Sequence, residues 1–242
     1  MKVIKLDAID STNDFLKGLS ATEELENYTV VTAENQTKGR GQMGAVWESE
    51  KSKNLIMSVF VKDLAIKLDD IYQLNVATAL AVVQVLKTYD IEDLSIKWPN
   101  DIMSDKFKLA GILIENSFKS NGTISSVIGI GLNVNQTNFE YLPKASSMAV
   151  IANSLFDKEA LVYQITERLE HNYKLLVLNS QILWDEYLKL LFKKNVPMPF
   201  VVGEDKPFMG IIRGVTQRGK LMVLLEDDIL AEYDLKEIKM LY

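Results

Sequence analysis

The chain of 242 residues has no cysteine. That excludes a disulfide framework, a thiol nucleophile and thiolate metal ligands, and it suits a reducing cytosol. Histidine occurs once, as His171, so there is no clustered His/Cys set for zinc, and no serine has an obvious histidine partner, which weakens a hydrolase reading. A GxxxxGK[ST] phosphate loop is missing. Apolar runs stay well short of the ~18 residues of a membrane span. The opening "MKVIKLDAIDSTND" breaks its apolar residues with charge, unlike a secretory signal. Basic charge is also short: 27 Lys and Arg face 33 Asp and Glu, a net −6. Nonspecific nucleic-acid binding needs a basic footprint and is not expected, although a local basic pocket remains compatible. The expectation is a cytoplasmic protein with no membrane partner, no DNA partner and no metal site of its own.

Arginine is rarer still than the totals suggest, since none stands between Arg40 and Arg168. Arg40 lies in "TKGRGQMGAVW" (37–47), among three glycines. Arginine offers a rigid, permanently charged fork for carboxylate or phosphate. Glycines let backbone N–H groups approach a ligand closely. The loop reads as either a flexible surface turn or an anion holder, and Trp47 as either core or the cover of a planar ring.

A hydrophobic content of 48% is enough for a sizeable core. "VIKLDAI", "YTVVTAE" and "NLIMSVFV" read as strands, and Ser11 with Asp14 three residues on reads as a helix cap. Helical spacing over Asp69–Tyr89 predicts a helix capped by Asp69 or Asp70. "LSIKW", "LAGILIE" and "VIGIGLNV" predict three further strands. Leu161, Ile165, Leu169, Tyr173 and Leu176 stripe one helix, and "ILWDEYLKLL" a second. At "NVPMPF" (195–200) two of the five prolines fall together, and short strand-like runs follow. The pattern predicts an α+β fold, a mixed sheet flanked by helices over 1–194, with a small β-barrel over 195–242.

Three more segments carry polar residues in awkward places. In "KWPNDI" (97–102), Pro99 ends a strand, leaving Asn100 and Asp101 beyond it as an Asx-type turn or as functional groups. In "KLAGILIE" (108–115), Lys108 is an edge-strand lysine or a site cation, and Gly111 marks a close approach. In "IGIGLNVN" (128–135), Gly131 and Asn133 mark a bulge or a cofactor pressed on the backbone. His171 reads as a solvated residue.

Together with "DSTND" (10–14), these segments resemble, in order and spacing, the biotin–protein ligases, over nearly the whole chain. The resemblance implies the biotin/lipoate ligase catalytic fold with an SH3-like C-terminal barrel. It implies a two-step reaction: biotin and MgATP give biotinyl-5′-AMP and pyrophosphate, and the adenylate then acylates a lysine of a biotin carboxyl carrier protein or domain. By resemblance, Ser11, Thr12 and Gln36 hold biotin's ring system, with Asn13 beside them. Arg40 and the amides near Gly39 and Gly41 neutralise carboxylate and phosphate, next to Gln42. Lys108 sits at the reacting junction and Asp101, with Asn100, orients magnesium and phosphate or helps the acceptor lysine lose its proton. Trp47 stacks on adenine, with Gly111, Gly131 and Asn133 completing the nucleotide site.

Two departures accompany the resemblance. Family members place further arginines about where Gln42, Met43 and Ala45 stand, so this loop has less charge to hold the adenylate. The first strand begins at about Val3, which leaves no room for the helix-turn-helix domain that some members carry; the ligase-only form is expected, with a homodimer compatible. A lipoate or octanoate ligase or transferase of related fold, and a non-enzymatic biotin sensor, are the alternatives.

Overall fold

Seven strands form the main sheet, and their sequence explains where each one lies. A computed structural model of the chain describes residues 1–118 and 122–242. Strands β1 (Val3–Ile9) and β2 (Thr29–Gln36) pair in parallel, Val3 with Val30 through Ile9 with Gln36. Parallel neighbours need a crossover, and helix α1 (Thr12–Thr22) supplies it. The helix begins as expected: Ser11 is extended and its hydroxyl accepts from the Asp14 N–H at 3.3 Å. Strand β3 (Leu55–Val61) is buried at every position, because it lies inside the sheet. Beyond it run β7 (Ile124–Leu132), β6 (Phe107–Phe118), β5 (Asp101–Ser104) and β4 (Leu94–Lys97), all antiparallel, giving the order β1-β2-β3-β7-β6-β5-β4. The sheet is therefore mixed, and helices flank it.

Helix α2 (Tyr72–Lys87) runs through the core, with residues from Leu74 to Leu86 buried almost without interruption. It packs between the sheet and α4 (Lys158–Lys189); α3 (Met148–Ala152) is a short turn of helix before it. Three corrections follow. Asp69 and Asp70 do not cap α2. They lie in a tight turn over Leu68–Asp70, whose hydrogen bonds lead straight into the helix, so its start at Ile71 needs no side-chain cap. The two expected C-terminal helices are one element with a kink at Asn179 (φ −159°, ψ 85°). Asp101 is not in a loop: it opens β5, a four-residue strand too short for periodicity to reveal. The turn before it contains a cis Trp98–Pro99 peptide.

The C-terminal segment forms a second sheet from β8 (Pro197–Val202), β9 (Phe208–Val215), β10 (Leu221–Leu224), β11 (Leu230–Tyr233) and β12 (Ile238–Met240), in the order β11-β10-β9-β8-β12. The stretch that carries the proline pair is itself a strand, β8. Its prolines lie just before the Phe200–Val202 pairing with β12, at the strand's start, where Pro199 only accepts, from Leu241 N at 2.9 Å, and a missing N–H costs least. This sheet docks on the first through the turn at Gly219, whose carbonyl accepts from Trp98 Nε1 at 2.8 Å.

Candidate active site

Where β6 and β7 run side by side, Gly111 is paired with Gly131. Two facing glycines leave a bare patch on the sheet, and a cleft of about 220 Å³ opens over it. The start of α1, the loop after β2 and the first residues of β5 and β6 close it in. Of the residues expected from sequence, Ser11, Thr12, Asn13, Gln36, Arg40, Gly41, Gln42, Trp47, Asn100, Asp101, Lys108, Gly111 and Gly131 all line this cleft. Gly39 and Asn133 do not. Gly39 lies behind the loop, its carbonyl accepting from the Trp47 N–H at 3.0 Å. Asn133 is buried below, its carboxamide donating to the Ser146 carbonyl at 3.0 Å.

One end of the cleft is a hydrogen-bond network. Thr12 donates through N and Oγ1 to Gln36 Oε1, at 2.8 and 3.0 Å. The Ser58 hydroxyl lies 2.8 Å from Thr12 Oγ1 and 2.6 Å from Asn13 Oδ1. Asn13 Nδ2 donates to Glu115 Oε2 at 2.9 Å. A side chain at Gly129 would have its Cβ 2.5 Å from Asn13 Oδ1, so this glycine is what lets Asn13 reach the sheet. Ser58, Glu115 and Gly129 were not singled out from sequence. Ser58 and Glu115 sit inside strand runs that read as ordinary sheet, and Gly129 alone carried a signal, as the other glycine of "IGIG".

Arg40 is held by carboxylates of the chain itself. Its Nη2 lies 2.5 Å from Asp14 Oδ1 and 3.2 Å from Glu115 Oε2. The loop's single guanidinium therefore rests on two carboxylates at the cleft edge, and an incoming anion would compete with them for its fork. Asn100 is likewise engaged, its carboxamide donating to the Ile112 carbonyl at 2.7 Å.

At the other end, Lys108 Nζ lies 2.6 Å from Asp101 Oδ1, and Lys97 Nζ lies 3.8 Å from Asp101 Oδ2. Backbone bonds from Lys108 N to the Lys144 carbonyl and from Ser146 N to the Lys108 carbonyl fix the start of β6. Burial pushes the Lys97 ammonium below its ordinary value; Lys108 and Lys144 push it the same way, and Asp101 partly offsets them.

Trp47 covers the glycine patch. A Cβ at Gly131 would fall 2.4 Å from its ring and one at Gly111 3.2 Å from it, while Lys108 Nζ lies 5.6 Å from the ring centre. Trp47 Nε1 and Gln42 Oε1 are buried without a hydrogen-bond partner, alone in this among the described residues. Each such atom costs roughly 1–3 kcal/mol. One donor and one acceptor, both on residues of the 37–47 loop that line one cleft, would be satisfied by a polar ligand that supplies the complementary atoms. Ligand pockets usually enclose ~300–1,000 Å³; this one is smaller because the indole fills part of it. Among the described residues no group of three or more His, Cys, Asp or Glu could hold a metal ion, and no helix is long and apolar enough to cross a membrane.

The sequence profile of the biotin/lipoate A/B protein ligase family matches residues 6–135. The chain is 30% identical over 216 residues to a biotin–[acetyl-CoA-carboxylase] ligase of Mycobacterium tuberculosis, a match covering 87% of this chain and 79% of that protein. It is 29% identical over 239 residues to the bifunctional ligase/repressor BirA of Bacillus spizizenii, covering 96% of this chain and 72% of that protein. In fold it is similar to the biotin protein ligase from Aquifex aeolicus solved in complex with biotin and ATP, with a TM-score of 0.82 at 24% identity over 99% of this chain and 98% of that one. The chain belongs to the biotin/lipoate A/B protein ligase family, and within it to the biotin–protein ligases.

Proposed function

We propose that this ATP-dependent biotin ligase runs both half-reactions in the cleft under Trp47. In the first, a biotin carboxylate oxygen attacks the α-phosphorus of ATP; the bond to the bridging oxygen breaks, and its electron pair leaves with pyrophosphate. In the second, the amine of an acceptor lysine attacks the acyl carbon, AMP departs with the bonding pair, and the amine gives up a proton.

Each half-reaction needs something this cleft has. Two anions must meet in the first, so fixed cations should face the junction; Lys108 serves at the α-phosphate, with Arg40 on the carboxylate side. The network of Thr12, Asn13, Gln36 and Ser58 suits a ring rich in hydrogen-bonding atoms, such as biotin's ureido group. That favours biotin over lipoate, whose dithiolane would leave those groups unpaired. Asp101, already paired with Lys108, is the carboxylate to which the acceptor's proton can pass. Magnesium would arrive on the phosphates of ATP, neutralising charge there, with Asp101 as its carboxylate. Trp47 and Gln42 would take the nucleotide, supplying a ring face, a donor and an acceptor.

The observation that carries this reading is the pairing of Lys108 with Asp101 beside an indole whose N–H has no partner, at one end of a cleft whose other end is a polar ring-binding network. On the same reading residues 1–194 are the catalytic unit and 195–242 an SH3-like barrel. The acceptor is a biotin carboxyl carrier domain, and the protein works in the cytoplasm away from DNA, alone or as a homodimer. Incubation with labelled biotin, MgATP and a biotin-carrier domain tests it. Label should reach the carrier and pyrophosphate should be released, and lipoate should not substitute. No release with biotin, or equal release with lipoate, would overturn the assignment.

A further inference from the structure

Helix α2 buries almost nothing polar, and its two exceptions behave differently. Thr78 donates to the Leu74 carbonyl at 2.7 Å and so serves its own helix. Asn75 reaches out instead: its Nδ2 donates at 2.9 Å to the carbonyl of Pro99, in the turn before β5. Tyr72 Oη reaches the same carbonyl at 3.3 Å and lies 2.9 Å from Tyr187 Oη on α4. Burial pushes both phenols above their ordinary value, so both stay protonated and able to donate. A buried carbonyl needs a donor, and among the described residues no main-chain N–H supplies one to Pro99. The rest of the turn is held from other sides. Trp98 Nε1 donates to the Gly219 carbonyl, and Asn100 exchanges two bonds with Ile112, Nδ2 to its carbonyl at 2.7 Å and the Ile112 N–H to the Asn100 carbonyl at 3.0 Å.

We propose that Asn75 is a positioning residue for the reaction, acting from the far face of the sheet through the Pro99 carbonyl on Asn100 and Asp101, with the Tyr72–Tyr187 hydroxyl pair as its support. It rests on the ligase reading above, in which Asp101 works in both half-reactions. Gly111 faces Trp47, so its neighbour Ile112 faces the other side of the sheet, where it joins α2 in the core. A Pro99 carbonyl fixed towards α2 sets the plane of the next peptide. Because that peptide is planar and trans, the Asn100 N–H is turned the opposite way, towards the cleft that Asn100 lines. Asp101 follows at once and carries Lys108 at 2.6 Å. None of Asn75, Tyr72 and Tyr187 lines the cleft, so whatever they do for the chemistry passes through this turn. A donor that only satisfied a buried carbonyl would cost stability when lost. A donor that also places a reacting carboxylate costs rate, because small displacements of a catalytic group are expensive.

The test compares the full chain as wild type, Asn75→Leu, Tyr187→Phe and Thr78→Val. Asn75→Leu keeps the branched shape and loses the donor; Thr78→Val loses a buried hydroxyl of the same helix that has no tie to the turn. In Asn75→Leu, kcat for pyrophosphate release and the single-turnover rate of transfer from supplied biotinyl-5′-AMP to a biotin-carrier domain should each fall about tenfold or more. The KM for biotin should not move, because Thr12, Asn13, Gln36 and Ser58 are held by other elements. Tyr187→Phe should show the same split at smaller amplitude, and it carries the comparison if Asn75→Leu does not fold. Thr78→Val should lose stability and keep both rates. The Ile112 amide, bonded to the Asn100 carbonyl, should exchange its hydrogen faster in Asn75→Leu than in Thr78→Val. Wild-type rates from folded Asn75→Leu would overturn the proposal, as would equal slowing in Thr78→Val or a KM for biotin that rises as the rates fall. If the wild type itself makes no adenylate, the ligase reading fails, while unchanged exchange at Ile112 would show separately that Asn75 does not set the turn.

Discussion

Lys108 and Asp101 show how a charge pair can be set for chemistry without supporting the fold. The pair is 2.6 Å apart and partly solvated, so its contribution to stability is small. If Lys108 is removed, Lys97 still stands 3.8 Å from Asp101 and the carboxylate is not stranded. Lys108→Ala should therefore melt close to the wild type. Adenylate formation should fall about a hundredfold, comparable to losing one preorganised donor at a developing charge. Lys108→Arg should recover only part of the rate, since a planar fork cannot occupy the ammonium's position. Near-normal pyrophosphate release from folded Lys108→Ala would remove the role. Lys97 makes the opposite case. The folded chain holds its proton less tightly than the unfolded chain, so its charge opposes folding at every pH below the lowered value. That penalty fades as pH climbs through the lowered value towards the ordinary 10.5. Lys97→Met should melt above the wild type at neutral pH, with the difference shrinking on the alkaline side. A difference in melting temperature that is the same at neutral pH and above 10.5 would contradict this.

The loop after β2 is the element on which the site depends. It is held to itself by an Arg40–Val46 bridge, by Gly41 N to the Ala45 carbonyl at 2.7 Å and by Trp47 N to the Gly39 carbonyl at 3.0 Å. Residues Met43 to Val46 are exposed, so beyond Trp47 and the Arg40 contacts to Asp14 and Glu115 little fixes the loop to its surroundings. Its amides from Gln42 to Val46 should exchange quickly in the ligand-free protein and become protected when biotin and ATP supply partners for Trp47 and Gln42. Hydrogen exchange measured under saturating ligand should show this, and an unchanged profile would count against a closing loop. Much of this element was legible in the sequence, because three glycines surround one arginine there and Gly111 and Gly131 stand within otherwise apolar strand runs. What could not be read was long-range. Glu115 becomes an Arg40 partner only because the loop after β2 reaches across to β6, and Gly129 matters only because Asn13 reaches over it. Strand β5 escaped notice because four residues beside a proline carry no period. The helix kink at Asn179 fell where two separate helices explained the pattern equally well.

At the scale of the whole molecule, the C-terminal segment bears on the site at Tyr242, whose ring centre lies 5.0 Å from Lys97 Nζ, and at one turn. Trp98, next to Pro99 and Asn100, donates to the Gly219 carbonyl, and Tyr72 at the start of α2 packs against the same glycine. Gln73 to Gln217 at 3.3 Å and Arg218 to Asp69 at 3.5 Å join the same two surfaces, but both contacts are exposed and count for little. The glycine is the critical point. Its φ is +89°, and a Cβ there would lie 2.4 Å from the Tyr72 ring. Gly219→Ala therefore meets two obstacles, a left-handed backbone and an occupied space, and should cost roughly 1–3 kcal/mol or more. Gly203 separates the two effects, since its φ is +54° but nothing lies within 4 Å of its would-be Cβ. Gly203→Ala should lose only the backbone share, about 1–2 kcal/mol, and keep its activity. Gly219→Ala should lose more in urea denaturation and also raise the KM for ATP, because the turn holds Trp98 and so the approach to Asn100. Equal losses of stability in the two variants, with ATP kinetics untouched in both, would mean that the C-terminal sheet is carried by the catalytic unit without shaping its site.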